Sequence, residues 1–204
     1  MIGIVNYGSG NIQAIANIYN RLNVPFEVIE KPGLLKNADK LILPGVGAFD
    51  ATMSQLVNSG LKAALEEEVL VKNKPVMGVC VGMQILAESS EEGNLPGLGW
   101  IKGKVKKFDV SKLKEKPYLP HMGWNTVEPK VDHPLFHQLD HELGFYFVHS
   151  YYFEPSQDSD ILGTSHYVET FASAVFHDHI FGMQFHPEKS HSNGVQLLSN
   201  FAKL

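Results

Sequence analysis

The stretch Lys74-Pro75-Val76-Met77-Gly78-Val79-Cys80-Val81-Gly82-Met83-Gln84 reads as a strand, a turn and the start of a helix. An apolar run, Val76 to Val79, leads straight into a cysteine that has a glycine two positions away on either side. That is the spacing of a G-x-S-x-G elbow with cysteine in the nucleophile slot. A side chain at such a turn projects above the carboxyl edge of a sheet, and the glycines let neighbouring backbone approach where a Cβ would clash. The turn also sets Cys80 at a helix N-terminus, where partial positive charge and a nearby histidine favour the nucleophilic thiolate. Cys80 is the only cysteine in the chain, so it forms no internal disulfide and is either an inert buried thiol or a reactive one. The flanking glycines favour the reactive reading.

Upstream of the elbow, short apolar runs alternate with longer amphipathic stretches. Ile2 to Val5, Phe26 to Ile29, Lys40 to Leu43 and Val76 to Val79 are the strand candidates, a rhythm that predicts parallel α/β structure. Asn11 to Leu22 sets Ile12, Ile15, Ile18, Tyr19 and Leu22 on one helical face, and Leu56 to Val71 predicts a second helix with an acidic Glu66-Glu67-Glu68 face. Downstream of Gly99 the texture changes to strand-like pieces parted by Pro and Asp: Lys102 to Phe108, Phe145 to Val148, Ile161 to His166, Phe171 to Phe176 and Ile180 to Phe185. Antiparallel hairpins are expected to extend the sheet there. Ser192 or Asn193 is placed to cap a last helix running through Val195, Leu197, Leu198 and Phe201.

Composition narrows the classes of function. At 204 residues, 44% hydrophobic and 19% charged, the chain suits one sizeable domain over 1–204, with no repeat or linker. A formal charge of -5 with 17 basic residues leaves no basic stripe, so nucleic acid is not an expected partner. Ile2-Gly3-Ile4-Val5 follows Met1 without a charged leader, and no apolar run reaches membrane-spanning length. A cytoplasmic protein without membrane contact is expected.

Two further segments bear on Cys80. Gln184-Phe185-His186-Pro187-Glu188-Lys189 follows a predicted strand, and the i, i+2 spacing lets Glu188 orient or polarise the His186 imidazole if the turn brings them together. Base and orienter for a thiol would then be present. Leu43-Pro44-Gly45-Val46-Gly47-Ala48-Phe49 is a glycine-rich loop at the carboxyl end of another predicted strand. Amide hydrolysis develops negative charge on the carbonyl oxygen, and the N–H of Val81 with one from Gly45 or Val46 are the candidate donors for it. Taken alone, this loop could equally be a flexible strand-to-helix connection.

Together, G-V-C-V-G, P-G-V-G and F-H-P-E-K-S resemble a class I glutamine amidotransferase domain over essentially the whole chain. Asn6 to Asn11, Pro120 to Asn125 and Tyr146 to Tyr151 are similar to segments of the glutaminase subunits of imidazole glycerol phosphate synthase. The resemblance implies a three-layer, flavodoxin-like fold with a central, mostly parallel sheet between helices and an antiparallel extension in the C-terminal half. It implies hydrolysis of L-glutamine at a Cys80-His186-Glu188 triad without metal or other cofactor. The ammonia would pass to a (β/α)8 cyclase subunit, in a heterodimer that makes imidazole glycerol phosphate in histidine biosynthesis. By the same resemblance Gly47, Gln84, Glu92, Ser150 and Tyr151 hold the substrate, with Glu92 suited to its α-ammonium group. Asn11, Met122, Trp124 and Lys189 would meet the cyclase. The chain departs from the family pattern at Val81, where leucine is commoner, and at Tyr152, a second aromatic after Tyr151. The first change leaves the backbone N–H in place.

Other readings stay open. A paralogous glutaminase serving amination of a surface-polysaccharide sugar would use the same chemistry, because the acceptor is chosen by the other subunit. A cysteine-elbow hydrolase or stress protein acting alone would also need the elbow, but His186 with Glu188 and the Met122-Gly123-Trp124 segment argue against it. The intact pair argues equally against a non-catalytic binding subunit. Gly8-Ser9-Gly10 lacks the third glycine of a dinucleotide fingerprint, since Gln13 stands there. His133, His137 and His141 are spaced like ligands on a helix, but Pro134 interrupts them and surface histidines are the expectation. His177-Asp178-His179 reads as a hairpin tip.

Overall fold

The four apolar runs of the first half hydrogen-bond side by side, all in one direction. In the computed structural model, which describes residues 1–112 and 119–204, they are β1 (Ile2–Val5), β2 (Phe26–Ile29), β3 (Lys40–Gly45) and β4 (Val76–Cys80), in the order β2-β1-β3-β4. β1 and β4 are buried at every residue. That is why they read as unbroken apolar runs rather than alternating ones. The expected first helix is α1 (Ile12–Arg21), which buries Ile15, Ile18 and Tyr19 and packs against β2.

The second expected helix is not continuous. α2 (Phe49–Asn58) ends at Ser59, Gly60 takes φ +74, and the chain restarts as α3 (Lys62–Glu66), loosening into a π-helical turn over Glu67–Val71. Residues 56–71 therefore span a break that a glycine makes cheap. Within the acidic run Glu67 is exposed, whereas the Glu68 side chain is buried and paired with Lys72 at 2.7 Å and Lys74 at 2.6 Å. Those two ammonium groups hold its carboxyl below the usual range.

The second half supplies α4 (Val81–Gln84), β5 (Ser89–Ser90), β6 (Gly103–Lys107), β7 (His121–Asn125), β8 (Glu128–Pro129) and β9 (Phe145–His149). After them come β10 (Tyr151–Pro155), β11 (Ile161–His166), β12 (Thr170–His177), β13 (Ile180–Met183) and α5 (His191–Lys203). β13 joins the halves, running parallel to β4 on one side and antiparallel to β12 on the other. Beyond it β12, β10 and β6 extend the sheet antiparallel, as expected, with β11 on β12. β7 and β9 form a separate antiparallel ribbon. His177-Asp178-His179 is the turn between β12 and β13, with Asp178 at φ +52.

α5 starts two residues earlier than Ser192 would set it, with Ser190 at its N-cap. Asn193 is occupied elsewhere: its side chain accepts from the Asp140 N–H and donates to the carbonyls of Asp140 and Gly144. This ties the helix to the loop before β9. Among the described residues no helix is long and apolar enough to cross a membrane.

Candidate active site

β4 runs into α4 with no connecting residue, and Cys80 is the hinge. It takes φ 56, ψ -116, a region that costs a non-glycine residue of order 1–3 kcal/mol and persists only where its surroundings over-determine it. The surroundings here are glycines. A Cβ on Gly82 would run into the Leu43 carbonyl oxygen, one on Gly78 into the Gly82 carbonyl oxygen, and one on Gly45 into the Gly82 nitrogen. Gly45 is also the β3 residue paired with Cys80. The ends of β3 and β4 and the first turn of α4 therefore interlock backbone against backbone, which explains both elbow glycines. α4 is only four residues long, so the expected dipole at Cys80 is that of a single turn.

His186 enters from the far side, just past the end of β13. Its N–H donates to the Tyr146 carbonyl at 2.9 Å. The buried Ser190 hydroxyl donates to the His186 carbonyl at 2.6 Å and accepts the Tyr146 N–H at 3.0 Å. Nδ1 of His186 lies 2.8 Å from Glu188 Oε1, with both side chains almost fully buried. Burial alone would push this imidazole's pKa down, but the Cys80 sulfur and the Glu188 carboxylate outweigh it and raise it to about 10. Nε2 of His186 and the second Glu188 oxygen have no hydrogen-bond partner. Among the described residues there is no cluster of three or more His, Cys, Asp or Glu side chains able to hold a metal ion.

A cavity of about 310 Å3 opens over Cys80 and His186, a size suited to a small molecule. Val46, Gly47, Val81, Gln84, Glu92, Ser150 and Tyr151 line it, so all the expected substrate-holding residues are gathered there. Gly47 needs its glycine, at φ +94. Gln84 Nε2 donates to the Tyr151 carbonyl at 3.1 Å and to Gln184 Oε1 at 3.0 Å. Glu92 has a second task, since Oε2 accepts the N–H of Phe49 at the start of α2, at 2.9 Å. Its turn is correspondingly fixed rather than freely solvated.

The two candidate oxyanion donors differ. Val81 stands at the first position of α4, where an N–H has no acceptor within the helix. Val46 N–H is instead held by the Ser9 hydroxyl at 2.9 Å, while Ser9 Oγ donates back to the Val46 carbonyl at 3.1 Å. The Gly8-Ser9-Gly10 segment thus packs on the end of β3, with a Cβ on Gly10 excluded by Pro44.

Of the residues expected to meet a partner, Met122 and Trp124 are 62% and 45% exposed on β7. Trp124 stacks on His191, with ring centroids 5.2 Å apart. Lys189 lies over the Tyr146 ring and also reaches the cavity. Asn11 is half-buried at the start of α1, with no side-chain cap bond. His133 caps a short turn by accepting the Leu135 N–H, and His137 faces Asp132 at 3.3 Å.

Three residues were not assigned from sequence. Ser190 sits inside F-H-P-E-K-S, and Ser9 inside the Asn6 to Asn11 segment that carries part of the family resemblance and was otherwise weighed as a cofactor loop. His149, also in the cavity wall, lies within the Tyr146 to Tyr151 segment.

Comparison with known proteins identifies the family. The sequence matches the family described as Glutamine amidotransferase class-I over residues 4–204. It is 50% identical over 204 residues to the imidazole glycerol phosphate synthase subunit HisH of Leptospira interrogans, covering 100% of both chains. The subunit of the same name from Bdellovibrio bacteriovorus is 48% identical, again over 100% of both. Among solved structures, PurLQS from Thermotoga maritima has a TM-score of 0.70 at 15% identity, covering 99% of this chain and 97% of that one. That is a likeness of fold.

Proposed function

The chain belongs to the class I glutamine amidotransferases, on the branch of the HisH subunits, and from that premise we propose that it hydrolyses L-glutamine to L-glutamate and ammonia with Cys80, His186 and Glu188. The observation that carries this is geometric: His186, paired through Nδ1 with the Glu188 carboxylate at 2.8 Å, shares with Cys80 the wall of a cavity of about 310 Å3. In the proposed cycle Cys80 reacts as the thiolate, the nucleophilic form of a thiol. The thiolate attacks the carboxamide carbon and forms the C–S bond. His186 then gives its proton to the departing nitrogen as the C–N bond breaks, releasing ammonia and leaving a thioester. With the sulfur now acylated, half of what raised the imidazole is gone, so His186 can take a proton from water. The hydroxide adds to the thioester carbon, the C–S bond breaks, and glutamate leaves. Glu188 holds Nδ1 throughout, and the N–H groups of Val81 and Val46 or Gly45 receive the oxyanion.

Gly47, Gln84, Ser150 and Tyr151 hold the substrate, and Glu92 balances its ammonium charge. Free ammonia would be protonated and lost in water, which favours docking the site onto a synthase. Met122, Trp124, Lys189 and Asn11 supply that contact, to a cyclase subunit of (β/α)8 fold that makes imidazole glycerol phosphate. The relatives' names support the histidine route over amination of a surface sugar. The chain works as one domain, in the cytoplasm.

Alone it is slow. Val46 N–H is engaged by Ser9 and must turn toward the oxyanion, and partner binding shifts that equilibrium.

Cys80→Ala tests the assignment. In the complex it abolishes glutamine-driven synthesis and leaves synthesis from added ammonium unchanged. Glutamine hydrolysis persisting in that variant would overturn the triad. Imidazole glycerol phosphate formation with the cyclase checks the acceptor.

A further inference from the structure

Two buried histidines, His149 in the cavity wall and His121 hydrogen-bonded to it, are not used by the proposed chemistry. His149 Nδ1 is 2.7 Å from the Tyr151 carbonyl oxygen, and its Nε2 is 2.9 Å from His121 Nδ1. His121 Nε2 is in turn 3.3 Å from Asn125 Nδ2, which also donates to the His166 carbonyl at 2.8 Å. A carbonyl oxygen can only accept, so His149 carries its hydrogen on Nδ1 and accepts at Nε2. His121 must then donate from Nδ1 and accept at Nε2 from the Asn125 amide. Every donor in this chain points the same way, from Asn125 through His121 and His149 to Tyr151. Burial holds both imidazoles neutral, with His121 lowered to about 4 and His149 to about 3. Protonating either would put two donors face to face.

The two ends of the chain have different surroundings. The Tyr151 carbonyl also accepts from Gln84, so it is the knot that ties the Ser150-Tyr151 wall of the cavity to α4. His121 and Asn125 belong to β7, whose intervening residues Met122 and Trp124 face outward. Along β7, His121 pairs with His149 across the ribbon, and its ring is stacked between Phe147 and Tyr167 at 4.9 and 4.1 Å. One face of a single strand is thus exposed, and the other is hydrogen-bonded into the pocket.

We propose that His121 and His149 are positioning residues: their one-directional hydrogen-bond chain fixes the Tyr151 carbonyl, and with it the substrate-holding wall, and couples that wall to the exposed strand that carries Met122 and Trp124. The inference rests on the glutaminase reading of the cavity. Neither imidazole touches the reacting atoms, so their loss acts on glutamine binding and leaves the chemical step largely intact.

His121→Phe keeps the aromatic stack and removes the donor, leaving His149 Nε2 unpaired. In the complex it raises KM for glutamine by roughly tenfold, the size expected for one buried acceptor left without a partner. The kcat falls less than twofold and ammonium-driven synthesis is unchanged. His121→Asn loses the stacking ring but returns an amide N–H where Nδ1 was, and it restores KM to near the starting value. A purely structural role gives the reverse order, with Asn worse than Phe, and that order overturns the proposal, as does an unchanged KM in His121→Phe.

The wild-type protein supplies a test that needs no variant. Nitrogen chemical shifts of its histidines place the hydrogen of His149 on Nδ1, and finding it on Nε2 overturns the chain's direction. Loss of glutaminase activity in Cys80→Ala together with a wild-type KM in His121→Phe removes this inference alone, whereas activity surviving Cys80→Ala removes the reading beneath it.

Discussion

The two backbone segments that flank the Cys80 sulfur are held in opposite ways. The elbow from Gly78 to Gly82 is fixed by exclusion: at Gly45, Gly78 and Gly82 a single added carbon meets backbone, and Cys80 keeps a strained φ of 56 because its neighbours leave it no alternative. The loop from Val46 to Ala48 is exposed, Gly47 has open space where a side chain would go, and the hydrogen bonds that hold Val46 come from the Ser9 and Thr52 hydroxyls. In the proposed reaction the nucleophile must be fixed before substrate arrives, while an oxyanion donor need be in place only as charge develops. Steric locking and hydrogen-bond restraint are divided accordingly between two neighbouring strand ends.

The sharpest way to break this division is at Gly82. A methyl there collides with the Leu43 carbonyl, and only backbone can give way. Gly82→Ala should cost about 1–3 kcal/mol of stability, as other overpacking changes do. Displacing the sulfur by a fraction of an ångström should cost about a hundredfold or more in glutamine turnover. Thermal melting and turnover measured together check it, and an alanine variant with normal activity would show that the elbow is not sterically locked.

Glu188→Gln tests the electrostatic half of the fixed region. The carboxylate helps raise His186 to about 10, so the imidazolium keeps its proton through neutral pH and surrenders it as pH rises through that value. Loss of the acid that protonates ammonia then sets the alkaline limb of kcat/KM near pH 10. Removing the negative charge lowers the imidazole's proton affinity, so the limb moves to lower pH. The rate falls by about a hundredfold, at the modest end of what positioned acid–base groups contribute. A pH–rate profile that keeps its alkaline limb in place would show that Glu188 does not act through His186.

The same contrast explains what could be read from the sequence. The elbow was legible because steric exclusion leaves a compositional trace: glycine must stand at 78 and 82, and a strand buried on both faces must be apolar from Val76 onward. His186 and Glu188 were legible through their spacing. The break at Gly60 was not, because apolar periodicity on either side carries through it, nor was the burial of Glu68, whose partners Lys72 and Lys74 lie beyond the predicted helix. Ser9 and Ser190 act through hydroxyl bonds that reach backbone 37 and 44 residues away, and no local pattern records such a bond. The His121–His149 contact crosses two strands, of which only β9 was foreseen.

Gly47 separates backbone freedom from space. Its φ of +94 disfavours any L side chain, yet nothing lies near the position of a Cβ. Gly47→Ala should therefore fold normally and lose about tenfold in glutamine turnover, corresponding to roughly 1–2 kcal/mol of local strain at a site the substrate touches. An effect as large as that of Gly82→Ala would mean that the loop is as tightly held as the elbow.

Ser9→Ala should give the smallest change and the only gain. The hydroxyl holds Val46 N–H at 2.9 Å and returns a bond to the Val46 carbonyl, so removing it withdraws the side-chain restraint that competes with the oxyanion for that donor. A net hydrogen bond of about 1 kcal/mol corresponds to an increase of about fivefold in the glutamine turnover of the isolated chain. In the complex the partner has already shifted the loop, so the same substitution should leave turnover nearly unchanged. The comparison between the two states is what distinguishes the latch from general loosening. If Ser9→Ala lowered activity equally in both, the serine would be supporting the site, and the hydrogen-bonded half of the contrast would have to be sought elsewhere in the 45–48 loop.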